Sequence, residues 1–477
     1  MGGDNIGVYE TEYLGSLPYG CKYAPAIPCA RRLNLNVSVF DNLDLTKYMS
    51  KIYKHDEIRQ REWTRYKAFY QKGDKQRLFS TELLAPCDAD ISRLSKEAKK
   101  ELEKCKVYNK KQSIPMVKQL YVKYGANVLL FYALDMVFWK YFRHMESLFS
   151  GIRILSSHGI VQGEMRPLNI VFDNENKRFL FSNFMNSHDR VSFYDRTNLD
   201  VLGYPYFFFA PEMKYAYMVY TNTDLVRSQF TYAVQNELVE NKDIDVYTED
   251  FKIYSEKYFK NRVPVMFTDL NNRVRDVRRR DIVNFAALMN KRIMQHIEPN
   301  KQWVFDREMA LIAPAANVYA LGATLFECLL IAFKRSKDRH KTPKQNTNNH
   351  QRNDGHGRDL IGWSPTTEPL YEKLCMLISR MMLANPFDRI NANDAYGQFM
   401  SLLGHVQEIY RDENAMLNSQ NVPVFLEEYF NNNNSLNRQK QPITTKSPRR
   451  IVATSPNQNN KKREMNNNSF NDFNDFF

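Results

Sequence analysis

The sequence predicts an α+β fold in two lobes: a small strand-rich one over residues 1–120, a larger helical one over 121–412, and an extension over 413–477. Three observations carry this reading. Short β-branched and aromatic runs separated by turns fill the first hundred or so residues, which is the pattern of strands. From Tyr121 onward apolar residues recur at three- and four-residue spacing, the stripe of buried helices. Far apart in the helical part stand Ala210-Pro-Glu212 and Asn385-Pro-Phe-Asp-Arg389. A carboxylate buried at Glu212 needs a guanidinium, because an unpaired buried charge is strongly destabilising, and Arg389 is the natural partner.

The elements follow in chain order. Gly15-Ser-Leu-Pro-Tyr-Gly20 follows a short strand-like run, and Tyr48-Met-Ser-Lys51-Ile-Tyr53 has a strand pattern. Glu62 lies in an amphipathic run from Glu57 to Tyr70, and Met136 to Leu155 should form a long buried helix. Val171 to Phe181 offers two strands around an Asn174-Glu-Asn176 turn, which places Asn183 directly after a strand. Asn317 to Phe326 reads as a buried helix with Gly322 at close packing distance. An insert at about 220–305 has ordinary apolar content and is expected to fold, and a basic loop is expected at about 335–358. Beyond about Asn431 an Asn run, Ser-Pro sites and scarce aliphatic residues predict disorder.

Composition narrows the classes. With 477 residues and 43% apolar content the chain can bury one large core or two smaller lobes. No apolar run reaches the roughly 18–20 residues of a membrane span; the best, Ala126 to Phe142, is cut by Asp135 and Lys140. Cys21, Cys29, Cys87, Cys105, Cys328 and Cys375 show no Cys-x-x-Cys spacing and no secretory leader precedes them. Reduced thiols in a cytoplasmic protein are the expectation, with a metal site from the first four as the lesser alternative. The net charge of +13 suits nucleic acid, an acidic surface or an acidic protein. No zinc-finger, RNP or helix-turn-helix signature accompanies it, so nucleic acid is the second-ranked partner after a docking or substrate protein.

Chemistry concentrates in Val161-Gln-Gly-Glu-Met-Arg-Pro-Leu-Asn169 and Asn183-Phe-Met185. With the glycines at 15 and 20, Lys51, Glu62, the Ala-Pro-Glu and the distant Arg389, these segments resemble eukaryotic-type serine/threonine protein kinases. More narrowly, Leu14-Gly-Ser-Leu-Pro-Tyr-Gly-Cys-Lys-Tyr-Ala-Pro-Ala-Ile-Pro-Cys29, Ser50-Lys-Ile-Tyr53, Pro86-Cys87 and Tyr121-Val-Lys-Tyr-Gly125 are similar to the kinase homologues of large nucleocytoplasmic DNA viruses. The resemblance spans about residues 9–410, without the insert and the basic loop.

It implies a bilobal kinase fold and ATP-site roles for Gly15, Gly20, Lys51 and Glu62. Arg166 would meet the transferring phosphate, Asn169 and Asn183 would stand at the magnesium, and Glu212 and Arg389 would be structural. Glu164 would take the place of the base that accepts the hydroxyl proton. The departures are Leu17 for Gly, Lys22 for Val, Gln162 for His, Glu164 for Asp, Asn183 for Asp, Met185 for Gly and Asn317 for Asp. A neutral amide is a poor ligand for a hard cation, and a base on a longer arm forfeits part of the roughly 10²- to 10⁴-fold that proton transfer contributes. The expected protein is a pseudokinase or strongly impaired kinase with weakened ATP and Mg²⁺ binding, acting by protein docking in a host cytoplasm or virion. The alternatives are an active divergent kinase in which Glu164 works as base and Asp173 or another acid serves the metal, and a basic protein that binds nucleic acid or virion components.

Overall fold

Strands β1 (Glu12–Leu17), β2 (Gly20–Ala24), β3 (Tyr48–Tyr53), β4 (Cys87–Ala89) and β5 (Val117–Lys123) form an antiparallel sheet in the order β1-β2-β3-β5-β4. The computed structural model describes residues 9–17, 20–30, 43–74, 77–105, 117–123, 139, 142–163, 165–173, 175–185, 187–189, 210–213, 307, 310–341, 368–383 and 385–409. All lie in one unit spanning 1–421; a second unit spans 422–477. Mixed strands and helices make the fold α+β, as the sequence pattern indicates. The insert and the tail beyond Asn431 lie outside the described residues.

Every residue of the central strand β3 is buried, the mark of a strand covered on both faces. Helix α1 (Asp56–Gly73) packs on β3 and β5. A second helix, α2 (Lys96–Glu103), is started by Ser95, whose hydroxyl accepts from the Ala98 amide at 2.9 Å, satisfying a donor that the first turn leaves open. Its Ala98 and Leu102 join Cys21, Tyr23, Ile27 and Ile52 in one apolar cluster. The sheet runs past the expected lobe limit at residue 120, because Tyr121, Val122 and Lys123 pair with Ser50, Met49 and Tyr48. Strand β5 therefore takes in the first three residues of Tyr121-Val-Lys-Tyr-Gly125.

Helix α3 (Glu146–Ser157) follows a short 3₁₀ turn at Arg143–Met145, and Trp139 and Phe142 are helical ahead of it; the other residues of the helix expected from Met136 that precede Phe142 lie outside the described residues. Leu148, Phe149, Gly151, Ile152 and Leu155 form its buried face. Beyond it, β6 (Ile160–Val161) pairs with β9 (His188–Asp189), and β7 (Ile170–Asp173) pairs with β8 (Arg178–Phe181) as the expected hairpin. Helices α4 (Ala315–Lys341), α5 (Glu368–Met381) and α6 (Ala392–Ile409) complete the described helical part. The ring of Phe149 on α3 stacks on Phe399 of α6 at 4.2 Å between centroids. A Cβ on Gly322 would lie 2.8 Å from Met381 Cβ, so α4 and α5 approach closely only because residue 322 has no side chain. Helix α4 continues to Lys341, so the segment expected as a basic loop from 335 begins as helix, and its remainder lies outside the described residues.

The cysteine expectation is overturned. Cys21 is bonded to Cys105 and Cys29 to Cys87, with Cα–Cα distances of 6.0 and 5.8 Å across 84 and 58 residues of sequence. The pairs belong to different clusters of the sheet region, the first with Tyr23 and Leu102 and the second beside Ala26 and Tyr48. No four-cysteine centre is formed, and the reduced-thiol argument for a cytoplasmic location no longer stands. No helix among the described residues is long and apolar enough to cross a membrane.

Mass mapping after alkylation checks the pairing. In unfolded, unreduced protein only Cys328 and Cys375, both buried thiols in the fold, should be modified. The other four should react after reduction, with a stability loss of roughly 2–4 kcal/mol per bridge.

Candidate functional site

Lys51 and Glu62 come together because a strand and a helix each present one face. On β3, Lys51 and Tyr53 share a face by alternation. On α1, Glu62, Tyr66 and Phe69 share one by i, i+4, i+7 spacing. The two faces meet: Lys51 Nζ lies 2.7 Å from Glu62 Oε1, with side-chain exposures of 2% and 1%. Glu62 Oε1 also accepts from the Phe184 amide at 3.4 Å. Glu62 Oε2 accepts from the Tyr53 hydroxyl.

The loop after β8 reaches the same place. Phe184 packs between Tyr66 and Phe69, with ring centroids at 5.1 and 4.8 Å, and the Arg65 guanidinium donates to the Met185 carbonyl. That packing turns Asn183 inward, with Oδ1 3.4 Å from Lys51 Nζ. Asn183 has φ 67°, a left-handed conformation that Asn tolerates better than most side chains. Lys51 therefore faces one ionised carboxylate and one neutral amide.

Neutral amides also brace the segment beginning at Val161. Gln162 Nε2 donates to the Asn183 carbonyl at 2.9 Å, and the Gln162 amide donates to Asn317 Oδ1 at 2.9 Å. Asn317 Nδ2 in turn donates to the Ile160 carbonyl at 2.6 Å. Gly163 has φ 81°, which is a sufficient conformational reason for glycine there. Asn169 is buried, and its carbonyl accepts from the Ser182 amide at 2.8 Å and the Ser182 hydroxyl at 2.9 Å. Its own amide donates to the Arg166 carbonyl at 2.8 Å. These main-chain bonds set Arg166 and Asn169 beside the residue that precedes Asn183. Glu164 lies outside the described residues.

The glycines have reasons of their own. Gly15 sits at a register shift between β1 and β2 with φ 132°. A Cβ on Gly20 would lie 1.9 Å from the Ile52 carbonyl oxygen, so its side chain is excluded by the β2–β3 crossing itself. Neither glycine needs a phosphate to account for it. Asp173, weighed as a metal acid, is spent on the β7–β8 turn: Oδ1 accepts from the Glu175 amide at 3.1 Å and Oδ2 from Asn176 Nδ2 at 2.7 Å.

The expected Glu212–Arg389 pair forms in both directions of the fork. Arg389 Nη1 and Nη2 donate to Glu212 Oε1 and Oε2 at 2.5 and 2.9 Å, with both side chains fully buried. Arg389 also donates to the Ala315 and Leu383 carbonyls, each at 2.8 Å, and its guanidinium lies 5.1 Å from the Tyr319 ring centroid.

Sequence reasoning missed two residues. Tyr53 was legible only as a strand residue; its position two after Lys51 was the available signal. Glu327 lies one turn after Thr324, whose hydroxyl donates to the Met165 carbonyl at 2.9 Å. Burial pushes the Glu327 carboxyl up to about 7 against the opposing pull of Arg166, and Oε2 accepts no hydrogen bond among the described residues.

Two outcomes follow from the buried charges. Arg389→Met alone should cost about 3–5 kcal/mol in urea melts by stranding Glu212, and Arg389→Met with Glu212→Leu should recover much of that. Folded Glu327 holds its proton more tightly than the unfolded chain does. Its contribution is therefore full below the ordinary glutamate value of 4.5 and lost as pH rises through about 7. Glu327→Gln should flatten the fall in Tm across that window.

A scan against known protein-family models finds none that matches this chain, and no characterised protein is significantly similar to it in sequence.

Proposed function

We propose that the chain is a protein-kinase-like pseudokinase: a bilobal body that takes the phosphates of a nucleotide at Lys51 without a divalent cation and acts by docking other proteins. The observation that carries this is the surroundings of Lys51, buried against Glu62 at 2.7 Å and against the amide oxygen of Asn183 at 3.4 Å. An ammonium has three N–H donors. Two acceptors among the described residues account for two of them, which leaves one for a phosphate oxygen. The order of Lys51, Glu62, Asn169, Asn183, Glu212 and Arg389 along the chain supports the family reading.

Magnesium does not fit the same residues. Glu62 gives both oxygens to Lys51, Phe184 and Tyr53, Asn183 is neutral, and Asp173 holds the β7–β8 turn. A hard cation of this kind is held by one or two protein carboxylates together with substrate phosphates, and neither Glu62 nor Asp173 stands open to one. Bound nucleotide would supply negative charge that Lys51 neutralises, with Glu62 orienting the ammonium. The active-kinase alternative asks for a metal acid other than Asp173, which holds the turn, and for Glu164 as base, which lies outside the described residues, as the basic segments behind the nucleic-acid alternative largely do.

Thermal melts with ATP or ADP, in EDTA and in Mg²⁺, test this. Nucleotide should raise Tm equally in both buffers, and Lys51→Met should abolish the rise while the protein remains folded by circular dichroism. Absence of any nucleotide-dependent shift would overturn nucleotide binding. Mg²⁺-dependent phosphorylation of a generic substrate that stops with Lys51→Met would overturn the pseudokinase reading.

A further inference from the structure

Glu62 is the acceptor on which the candidate site converges, and its two oxygens are treated differently. Oε1 takes Lys51 Nζ at 2.7 Å and the Phe184 amide at 3.4 Å. The donor to Oε2 is the Tyr53 hydroxyl. Tyr53 and Glu62 are buried, at 6% and 1% exposure, so water does not stand in for that hydroxyl. The nearby cation on α1, Arg59, is taken by Asp56 within its own turn at 2.5 Å and does not compete for Glu62. The backbone of Tyr53 is held as well: it pairs with Gly20 of β2, where a Cβ would lie 3.2 Å from Tyr53 Cα.

We propose that Tyr53 is the positioning residue of this site, its hydroxyl holding the Glu62 carboxylate on α1 while Lys51 turns part of its charge toward a phosphate. The inference deepens the nucleotide reading and rests on it for the second half of that sentence. An ammonium shared between Glu62, Asn183 and a phosphate oxygen pulls less on Glu62 than one that faces Glu62 alone. With Lys51 as its only strong donor the carboxylate would be free to follow the ammonium or to swing out with α1. A hydroxyl bonded to an ionised acceptor in a dry site is one of the stronger hydrogen bonds available. It comes from the same strand as Lys51, two residues on, so β3 grips Glu62 at both oxygens. Helix α1 is thereby fixed to the sheet by residues of the sheet itself.

The test uses the full chain with Tyr53→Phe, which removes one oxygen and keeps the ring. Hydrogen exchange is followed by mass spectrometry in α1 and at the Phe184 amide, with α3 and α6 as the internal reference, alongside calorimetric titration of ADP in EDTA. Exchange in α1 and at Phe184 should quicken roughly tenfold or more with α3 and α6 unchanged, and ADP should bind several-fold more weakly. In a Glu62→Gln background, where the ionised acceptor is gone, Tyr53→Phe should add little to either readout. Unchanged exchange at α1, or a rise spread equally over α3 and α6, overturns the positioning role. If the unaltered protein binds no ADP, the nucleotide reading falls, and the exchange measurements still decide Tyr53.

Discussion

Arg389 enters a site closed to water and uses its planar fork on a single carboxylate, Glu212, that lies 177 residues earlier in the chain. The same side chain takes the carbonyl at the head of α4 and one after α5 and lies on the Tyr319 ring. One guanidinium thus ties residues 210–213 to the head of α4 and to the turn after α5. Lysine could not replace it, since an ammonium presents no planar pair of donors to a carboxylate and does not stack as well on a ring. All three guanidinium nitrogens and both carboxylate oxygens have partners. Removing one partner leaves the other charged and buried, so the two residues depend on each other.

A second buried ion pair, Lys51 with Glu62, organises the other half of the described structure in a different way. Around it the charges have been thinned out. Asn183, Gln162 and Asn317 are neutral amides that brace one another's backbones, and the carboxylates of Asp173 and Glu62 are both engaged. On the proposed reading, Lys51 would meet a phosphate with little negative charge beside it to hold a divalent metal. Architecture and chemistry are separable here because hydrogen bonds from amides orient loops as well as carboxylates do, yet supply almost none of the electrostatic attraction.

The two disulfides bear on the same sheet. Cys21 directly follows Gly20 on the strand that pairs with β3, and it ties that strand to the end of α2, whose Leu102 carbonyl also receives the Tyr23 hydroxyl. Cys29 and Cys87 fasten the chain after β2 to the outer strand β4. Both links cross long stretches of sequence, so they restrict the unfolded chain substantially and fix the strand order around Lys51.

Much of this could be read from the residues alone. Alternation placed Lys51 on a strand, periodicity placed Glu62 on a helix, the Asn174-Glu-Asn176 turn announced the β7–β8 hairpin, and the cost of a lone buried carboxylate linked Glu212 to Arg389. Such inferences succeed because backbone geometry ties side-chain direction to local spacing, and because a buried charge demands its opposite. Other features waited for the fold. The cysteine pairs, the Tyr53 hydroxyl on Glu62, the Asn183 oxygen turned to Lys51 and the diversion of Asp173 into a turn each depend on which surfaces meet. So does the close approach of the neighbouring strand's backbone to Gly20. Local sequence determines the elements and the faces they offer. Which of those faces touch, and hence which polar atoms find each other, is decided only when register, strand order and helix packing are set together.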